Sequence, residues 1–207
     1  MSTGGDSWSV LVPVKRLDRA KTRLALGADT RADIALAMAI DTIRAALSAT
    51  SVREVVAITD DGRAAEAVRR LGAVIVPDLP DAGLNPALVH GASTVTETRI
   101  AALSSDLPAL RPDDLDAVLR AALAHPRSVV ADLAGTGTTL LAAGVVAEFA
   151  PAFGNDSLVR HVRSGAVDLT GIAGVSLRHD VDTLDALRAA VALGVGSETR
   201  RAVALLG

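Results

Sequence analysis

The sequence contains no cysteine and no tyrosine, and among its 207 residues only Trp8, Phe149 and Phe153 are aromatic. The absence of cysteine excludes a disulfide framework and thiolate metal sites, and it fits a reducing compartment. So few aromatic side chains disfavour a stacking platform for single-stranded nucleic acid. A strong excess of one charge is also missing, because 21 basic and 24 acidic residues leave a net charge of −3. We therefore expect neither a nucleic-acid-binding protein nor a polybasic membrane-surface protein.

Long apolar runs are absent as well. No stretch approaches the roughly 20 apolar residues that span a bilayer, and the polar residues 1–7 do not have the pattern of a signal peptide. These features predict a cytoplasmic protein that is not inserted in a membrane. Half of the residues are apolar, 50% by count, and a chain of this length can bury one sizeable core. We expect residues 1–207 to form a single domain.

Two hydrophobic periods alternate along the chain. Short apolar runs that end at proline, glycine or a charge predict seven strands, at 8–14, 54–59, 73–76, 100–103, 128–131, 139–143 and 172–177. Residues spaced as in a helix lie between them, for example Leu36, Ile40, Ile43 and Leu47. This alternation predicts an α/β fold of three αβα layers, with a mostly parallel sheet covered on both faces. Residues 132–139 join two strands without a helix, which predicts an antiparallel pair in a mixed sheet.

Ligands of open α/β sheets bind beyond the carboxyl ends of the strands, so the residues that follow each strand are candidates for a site. The first strand leads through Val14 into a basic loop that holds the only two lysines, Lys15 and Lys21, together with Arg23. The loop lacks the glycines of a dinucleotide-binding or Walker motif. A basic loop at this place predicts polyphosphate binding. The alternative, a solvated charged surface, is weakened because both lysines fall in one turn region.

The loops after the second and third strands carry weaker signals. Asp60 and Asp61 are read as a cap of the next helix in preference to a ligand site. After the third strand, a long loop passes through Gly83 and enters a helix near Asn85. The backbone amides at the start of that helix are candidates for contact with a nucleotide.

Asp106 is the strongest single candidate, because a carboxylate that leaves an apolar strand is costly to bury unless it is paired or metal-bound. Its alternative role is that of a turn residue before Pro108. Asp180 and Asp182 follow the last predicted strand, and alternate residues of an extended segment point the same way. Three carboxylates repel each other unless a cation lies between them, and such a set suits Mg²⁺ together with phosphate oxygens. The alternative role of Asp182 is that of a helix cap.

Two further segments combine flexible backbone with hydroxyl groups. Residues 135–139 read Gly-Thr-Gly-Thr-Thr, and residues 153–157 read Phe-Gly-Asn-Asp-Ser and open a helix whose first amides favour an anion. Their alternative roles are a hairpin turn and a plain helix cap. The candidates for binding a small phosphorylated acid are Thr139, Gly154, Ser157 and, one helical turn further on, His161.

Taken together, these segments resemble the 2-phospho-L-lactate guanylyltransferases, whose actinobacterial members are phosphoenolpyruvate guanylyltransferases of coenzyme F-420 (deazaflavin) biosynthesis. The matching segments are 12–15, 20–24, 83–85, 105–108, 135–139, 153–154 with Ser157 and His161, and 180–183. They cover nearly the whole chain in the same order. Asp-Leu-Pro and Asp-x-Asp-Thr recur throughout the wider nucleotidyltransferase superfold, whereas segments 135–139 and 153–157 are more particular to this family.

The resemblance implies a Rossmann-like nucleotidyltransferase fold similar to that of the molybdenum-cofactor guanylyltransferases. It implies that GTP binds at Val14, Lys15, Lys21, Arg23, Gly83 and Asn85. It places the acceptor, phosphoenolpyruvate or 2-phospho-L-lactate, at Thr139, Gly154, Ser157 and His161. It places Mg²⁺ at Asp106, Asp180 and Asp182. Asp106, Lys15, Lys21 and Arg23 would carry the catalysis.

The expected product is enolpyruvoyl-2-diphospho-5'-guanosine or its lactyl analogue. A downstream transferase would consume it, and direct hand-off to that enzyme is one possible arrangement. Nineteen of the 21 basic residues are arginine, which suits a GC-rich actinobacterial genome and favours phosphoenolpyruvate. The alternatives are a nucleotidyltransferase for a sugar phosphate or molybdopterin, and a nucleotide-binding module without catalysis.

Overall fold

A mixed β-sheet forms the centre of the computed structural model, which describes residues 6–17, 24 and 26–206. Its strands are β1 (Trp8–Pro13), β2 (Val52–Ile58), β3 (Val74–Val76), β4 (Ile100–Leu103), β5 (Arg127–Ala131), β6 (Thr138–Ala143) and β7 (Val167–Asp168). They lie in the order β3-β2-β1-β4-β6-β5-β7. β6 runs antiparallel to β4 and β5, and the other neighbours are parallel. The prediction of a mostly parallel sheet with an antiparallel pair at residues 132–139 is therefore confirmed.

Helices cover both faces of the sheet. They are α1 (Ala28–Ser48), α2 (Gly62–Arg69), α3 (Leu84–Ala92), α4 (Pro112–Ala122), α5 (Ser157–Arg163), α6 (Val175–Arg178), α7 (Leu184–Leu193) and α8 (Ser197–Ala204). Val10 and Val12 of β1 share a buried cluster with residues of α1, α2 and α4. Leu11 points to the other face and clusters with residues of α3. This alternation along one strand builds the three predicted layers. Within the described residues, no helix has the length and apolar character needed to cross a membrane.

The strand predicted over 172–177 is wrong. The edge strand β7 comes earlier, and the predicted segment overlaps the short helix α6, which begins after Gly174. The Ser176 hydroxyl holds α6 against the start of α4, since it donates to the Asp114 carboxylate at 2.6 Å and accepts from the Arg111 amide at 3.0 Å. Leu177 is fully buried in this helix. A short apolar run has the same pattern in a buried strand and a buried helix, so periodicity did not separate the two.

A buried carboxylate joins α4 to the turn between α1 and β2. Asp116 accepts hydrogen bonds from the Thr50 amide at 2.9 Å, the Thr50 hydroxyl at 2.7 Å and the Ser51 amide at 2.7 Å. Burial raises the pKa of Asp116, but these hydrogen bonds outweigh it, and the net pKa lies below the ordinary 3.8. The ionised side chain therefore stabilises this junction.

We expect Asp116→Asn to lower the free energy of unfolding by about 2 kcal/mol, because the amide presents donors where two acceptors are needed. The folded-state pKa of Asp116 is depressed, so this stabilisation is present above 3.8 and is lost as pH falls through the folded-state value. Urea unfolding at pH 7 and at pH 3 measures both effects. Asp113→Asn, at an exposed position of the same helix, serves as the control. Equal stability of the Asp116 and Asp113 variants at pH 7 would contradict the prediction.

Candidate active site

A cavity of about 610 Å³ opens beyond the carboxyl ends of β1 and β4. Its wall is built from the loops after β1, β4 and β5, the start of β6, the segment that leads into α5 and the segment between α6 and α7. Of the residues predicted from sequence, the cavity wall contains Val14, Lys15, Asp106, Gly154, Ser157, Asp180 and Asp182. The structure therefore brings together residues from both halves of the chain, as expected if the site lies beyond the carboxyl ends of the strands.

Other predicted residues lie elsewhere. Thr139 and His161 are each 1% exposed and lie behind the cavity wall. Gly83 and Asn85 begin α3, where the neighbouring Leu84 contributes to the wall. Lys21 and Arg23 lie outside the described residues. Their roles in binding GTP or the acceptor remain predictions.

The loop after β1 is held by hydrogen bonds that leave Lys15 exposed. The Val14 amide donates to the Ile58 carbonyl at 2.9 Å, and the Leu17 amide donates to the Asp61 carboxylate at 3.0 Å. The other oxygen of Asp61 caps α2. The predicted cap is therefore confirmed, and the same carboxylate also anchors the basic loop. Burial raises the pKa of Asp61, but the backbone hydrogen bonds outweigh it and the net pKa is lowered.

The three predicted carboxylates line one cavity although no strand precedes Asp180. The amide of Val181 donates to the carbonyl oxygen of Asp106 at 3.0 Å, which fixes the segment after α6 beside the end of β4. Val181 is fully buried, and Asp180 and Asp182 on either side of it line the cavity. The cap of α7 is Thr183, whose side chain accepts from the Ala186 amide. The alternative reading of Asp182 as that cap is therefore not supported.

The cavity wall contains two further carboxylates, Asp156 and Asp132, and sequence reasoning treated Asp132 only as part of a turn. Its two oxygens accept from the amides of Thr136 and Gly137, each at 2.9 Å. A Cβ on Gly137 would lie 2.4 Å from a carboxylate oxygen of Asp132, so this turn requires glycine there. Its position after a buried strand could have marked Asp132 as a candidate for the site, by the same argument that marked Asp106.

The clustered carboxylates change the titration of Asp180. Burial, with the nearby charges of Asp106, Asp132 and Asp182, raises the pKa of Asp180 to about 6. A cation in the cavity would relieve this repulsion, and carboxylate oxygens are ligands that Mg²⁺ accepts. Within the described residues, no group of three His, Cys, Asp or Glu side chains is arranged to hold a metal by itself. The donors therefore fit an ion held by one or two carboxylates together with substrate phosphates, as is usual for Mg²⁺.

A chain of hydrogen bonds connects two residues of the cavity wall, Ser157 and Thr138, to the buried His161. The Ser157 hydroxyl donates to the Thr138 hydroxyl oxygen at 3.0 Å, and that oxygen lies 3.0 Å from Nδ1 of His161. The Ala152 amide donates to Nε2 of the same ring at 2.9 Å. Burial, with the nearby charges of Arg160 and Arg127, lowers the pKa of His161 to about 4. The imidazole is therefore neutral at pH 7.

The segment before α5 is shaped by glycine and asparagine. Gly154 has a φ of +125°, a conformation that side chains rarely adopt. The Asn85 side chain donates to the Phe153 carbonyl at 3.1 Å and accepts from the Phe153 amide at 2.8 Å. Asn85 therefore joins the start of α3 to the cavity wall. Its side chain is engaged within the protein, which leaves its backbone for the predicted nucleotide contact.

Comparisons with known proteins identify the family of this chain. Residues 8–172 match the family model described as guanylyl transferase CofC like. A phosphoenolpyruvate guanylyltransferase of Streptomyces scabiei is 54% identical, with 96% of this chain and 97% of the relative covered. One from Geodermatophilus obscurus is 53% identical, with coverages of 97% and 94%.

Solved structures show the same fold. A nucleotidyl transferase from Methanothermobacter thermautotroptrophicus aligns with a TM-score of 0.66 at 18% identity, covering 91% of this chain and 98% of the other. A Mycobacterium tuberculosis protein solved as a complex with manganese aligns with a TM-score of 0.53 at 24% identity, with coverages of 90% and 98%. The predicted nucleotidyltransferase fold is confirmed. By the family model and the full-length similarity to its curated relatives, this chain belongs to the CofC-like guanylyl transferase family.

Proposed function

We propose that this protein transfers the guanylyl group of GTP to the phosphate of phosphoenolpyruvate and releases pyrophosphate, with 2-phospho-L-lactate as the alternative acceptor. The observation that carries the proposal is one cavity lined by a lysine, five carboxylates and several hydroxyl groups. Relatives about half identical over almost the full chain bear the name phosphoenolpyruvate guanylyltransferase. The activated acid produced would serve deazaflavin coenzyme F-420 biosynthesis.

The reaction needs little acid-base chemistry from the protein. A phosphate monoester has a second pKa of about 6, so the acceptor is largely dianionic at neutral pH. One of its oxygens attacks the α-phosphorus of GTP, the bond from that phosphorus to the bridging oxygen of the β-phosphate breaks, and pyrophosphate leaves with the electron pair. No protein base has to remove a proton. Positioning and charge neutralisation are then the main tasks of the site.

The residues of the cavity divide these tasks. Lys15, with Lys21 and Arg23 of the same loop, would hold the GTP phosphates. One or two of Asp106, Asp180 and Asp182, together with substrate phosphates, would hold Mg²⁺. The ion, when bound, would offset the repulsion between the two anionic substrates and stabilise the departing pyrophosphate. The manganese complex of a protein with this fold supports a divalent ion here. Ser157, Gly154 and the wall around them would bind the acceptor.

The direct test is pyrophosphate release by the purified protein with Mg²⁺. GTP, ATP and CTP are each combined with phosphoenolpyruvate, 2-phospho-L-lactate, 3-phosphoglycerate and a sugar phosphate, and the nucleotidyl product is identified by mass. We expect release with GTP and phosphoenolpyruvate. Another productive pair would assign a different acceptor or nucleotide to the same fold. GTP binding without turnover for any pair would support a nucleotide-binding module.

Ser157→Ala is expected to raise the KM for the acceptor about tenfold while changing the KM for GTP by less than about twofold, because the hydrogen bond that holds the Thr138 hydroxyl in the cavity wall is lost. Ser157 lies in the cavity wall at the start of α5. Steady-state kinetics with each substrate varied in turn measures the two constants. Ser93→Ala, at an exposed position at the end of α3, is the control. An unchanged acceptor KM in the Ser157 variant would remove this residue from the acceptor site.

A further inference from the structure

Thr42 is a fully buried hydroxyl residue of α1, and its neighbours along the helix, Ala39, Ile43 and Ala46, are buried and apolar. A polar group in such surroundings costs free energy unless it is hydrogen-bonded. A threonine inside a helix can meet this need by donating to the carbonyl four residues earlier, and the Thr42 hydroxyl lies 2.9 Å from the Met38 carbonyl. That contact alone is an ordinary feature of a helix.

Two further contacts of the Thr42 hydroxyl reach residues that are 63 and 65 positions away along the chain. The Leu107 amide donates to the hydroxyl oxygen at 3.1 Å, and the Ser105 carbonyl, 3.2 Å from the same oxygen, is a second acceptor for its proton. These two groups belong to the peptide units on either side of Asp106. The Thr42 hydroxyl therefore holds the backbone directly before and directly after this carboxylate residue.

The peptide unit after Asp106 is held at both of its polar ends. Its carbonyl accepts from the Val181 amide at 3.0 Å, and its N–H is the one that donates to Thr42. Leu107 is fully buried, so water does not offer this N–H another acceptor. A peptide unit is planar, and two anchored ends prevent its rotation. The positions of the two adjoining peptide planes then fix the direction of the bond from Cα to Cβ of Asp106.

We infer that Thr42 is a positioning residue of the active site, whose hydroxyl sets the direction in which Asp106 presents its carboxylate to the cavity. The inference rests on the proposed function, in which Asp106 is among the carboxylates that would hold a divalent ion together with substrate phosphates. Thr42 does not line the cavity and touches no substrate. Its effect reaches the reaction through Asp106.

Variants of Thr42 separate the hydroxyl from the shape of the side chain. Thr42→Val keeps the branched shape and leaves the Leu107 amide without its acceptor. Thr42→Ala removes the same hydroxyl and replaces the valine variant if that variant does not fold, whereas Thr42→Ser keeps the hydroxyl. Thr199→Val is the matched control, because Thr199 is also fully buried, does not line the cavity and has a hydroxyl without a partner among the described residues. Thermal melting establishes that each variant is folded.

Two constants distinguish positioning from a structural role. One is the Mg²⁺ concentration for half-maximal turnover, and the other is the Kd of Mn²⁺ for the protein with GTP and no acceptor, measured by the loss of the free-ion signal in electron paramagnetic resonance. We expect Thr42→Val to raise both constants about tenfold, and Thr42→Ser and Thr199→Val to stay within about threefold of wild type. Added to Asp106→Asn, Thr42→Val should change either constant by less than about twofold, since the group that it positions is already lost.

Wild-type ion dependence with a lower melting temperature, in folded Thr42→Val or Thr42→Ala, would overturn the inference alone. An equal effect of Thr42→Val in the wild-type and Asp106→Asn backgrounds would do the same. Hydrogen exchange of the Leu107 amide in the wild-type protein is a check that needs no variant. We expect slow exchange there, and exchange at the rate of a free amide would overturn the inference.

The same measurements separate the inference from the proposed function. Absence of pyrophosphate release by the wild-type protein with GTP and phosphoenolpyruvate would overturn the proposed function, and the Mn²⁺ constants would then decide the inference by themselves. Wild-type protein that binds no Mn²⁺ in the presence of GTP would overturn the metal role of Asp106 and the inference with it.

Discussion

Replacement of Asp106 by asparagine is expected to leave the protein folded and to reduce its turnover with GTP and acceptor by about 10² to 10³-fold. Asp106 lies three residues beyond the end of β4 and lines the cavity. The hydrogen bond from the Val181 amide to its carbonyl fixes it beside Asp180 and Asp182. That hydrogen bond uses the backbone, so the substitution leaves it in place. The lost group is one negative charge of the carboxylates proposed to hold the cation.

The variant should also need a higher Mg²⁺ concentration for half-maximal rate, since one anionic ligand is replaced by a neutral one. Turnover measured across a Mg²⁺ series, with the melting temperature as the check on folding, tests both expectations. Asp185→Asn is the matched control, because Asp185 lies on the surface of α7 with its side chain 91% exposed. Near-normal turnover and Mg²⁺ dependence in folded Asp106→Asn would exclude this residue from metal binding.

Lys15→Gln is expected to lower kcat/KM for GTP by about 10²-fold, which corresponds to about 2.7 kcal/mol of lost transition-state stabilisation. Lys15 follows β1, lines the cavity and is one of only two lysines in the chain. It is exposed, and the backbone that carries it is anchored through the contact of Leu17 with Asp61. Glutamine keeps most of the length of the side chain and removes its charge. The binding of triphosphate and the neutralisation of pyrophosphate should therefore both weaken.

Lys15→Arg separates charge from shape and is expected to recover much of the lost rate, although a guanidinium group does not replace a compact ammonium group in full. Arg188→Gln removes an exposed positive charge from α7 and controls for the change in net charge. The rates are compared at two salt concentrations, because a general electrostatic effect would be screened equally in all variants. Equal kcat/KM for Lys15→Gln and Arg188→Gln would show that Lys15 does not contact the phosphates.

The three layers of the fold could be predicted from the local hydrophobic pattern of the sequence. Continuous aliphatic runs can only be buried on two sides, so β1 and β4 had to lie inside a sheet with helices on both faces. The absence of a helix between β5 and β6 required an antiparallel connection. The short run at 172–177 was misassigned because burial of Leu177 gives the same apolar signal in either conformation. Its conformation depended on Ser176 and Gly174, which pack against the distant α4.

In the candidate site too, the position of some residues could be predicted from the sequence, whereas that of others depends on tertiary contacts. Val14, Lys15 and Asp106 could be placed from sequence because each follows a strand whose carboxyl end opens on the cavity. The nearness of Asp180 to Asp106 was expected for the wrong reason, since it depends on a backbone hydrogen bond from Val181 and not on a strand.

The amino-acid sequence by itself established the layered fold, the family and most of the charged residues around the cavity, because these follow from periodicity, strand ends and short motifs. It did not establish that Asp132 joins the carboxylates or that Thr138, and not Thr139, lines the cavity. Nor did it show that both ring nitrogens of His161 form hydrogen bonds within the protein. These features depend on contacts between segments that are distant along the chain, and the direction of a side chain at the end of a strand is set by such contacts and not by its local sequence.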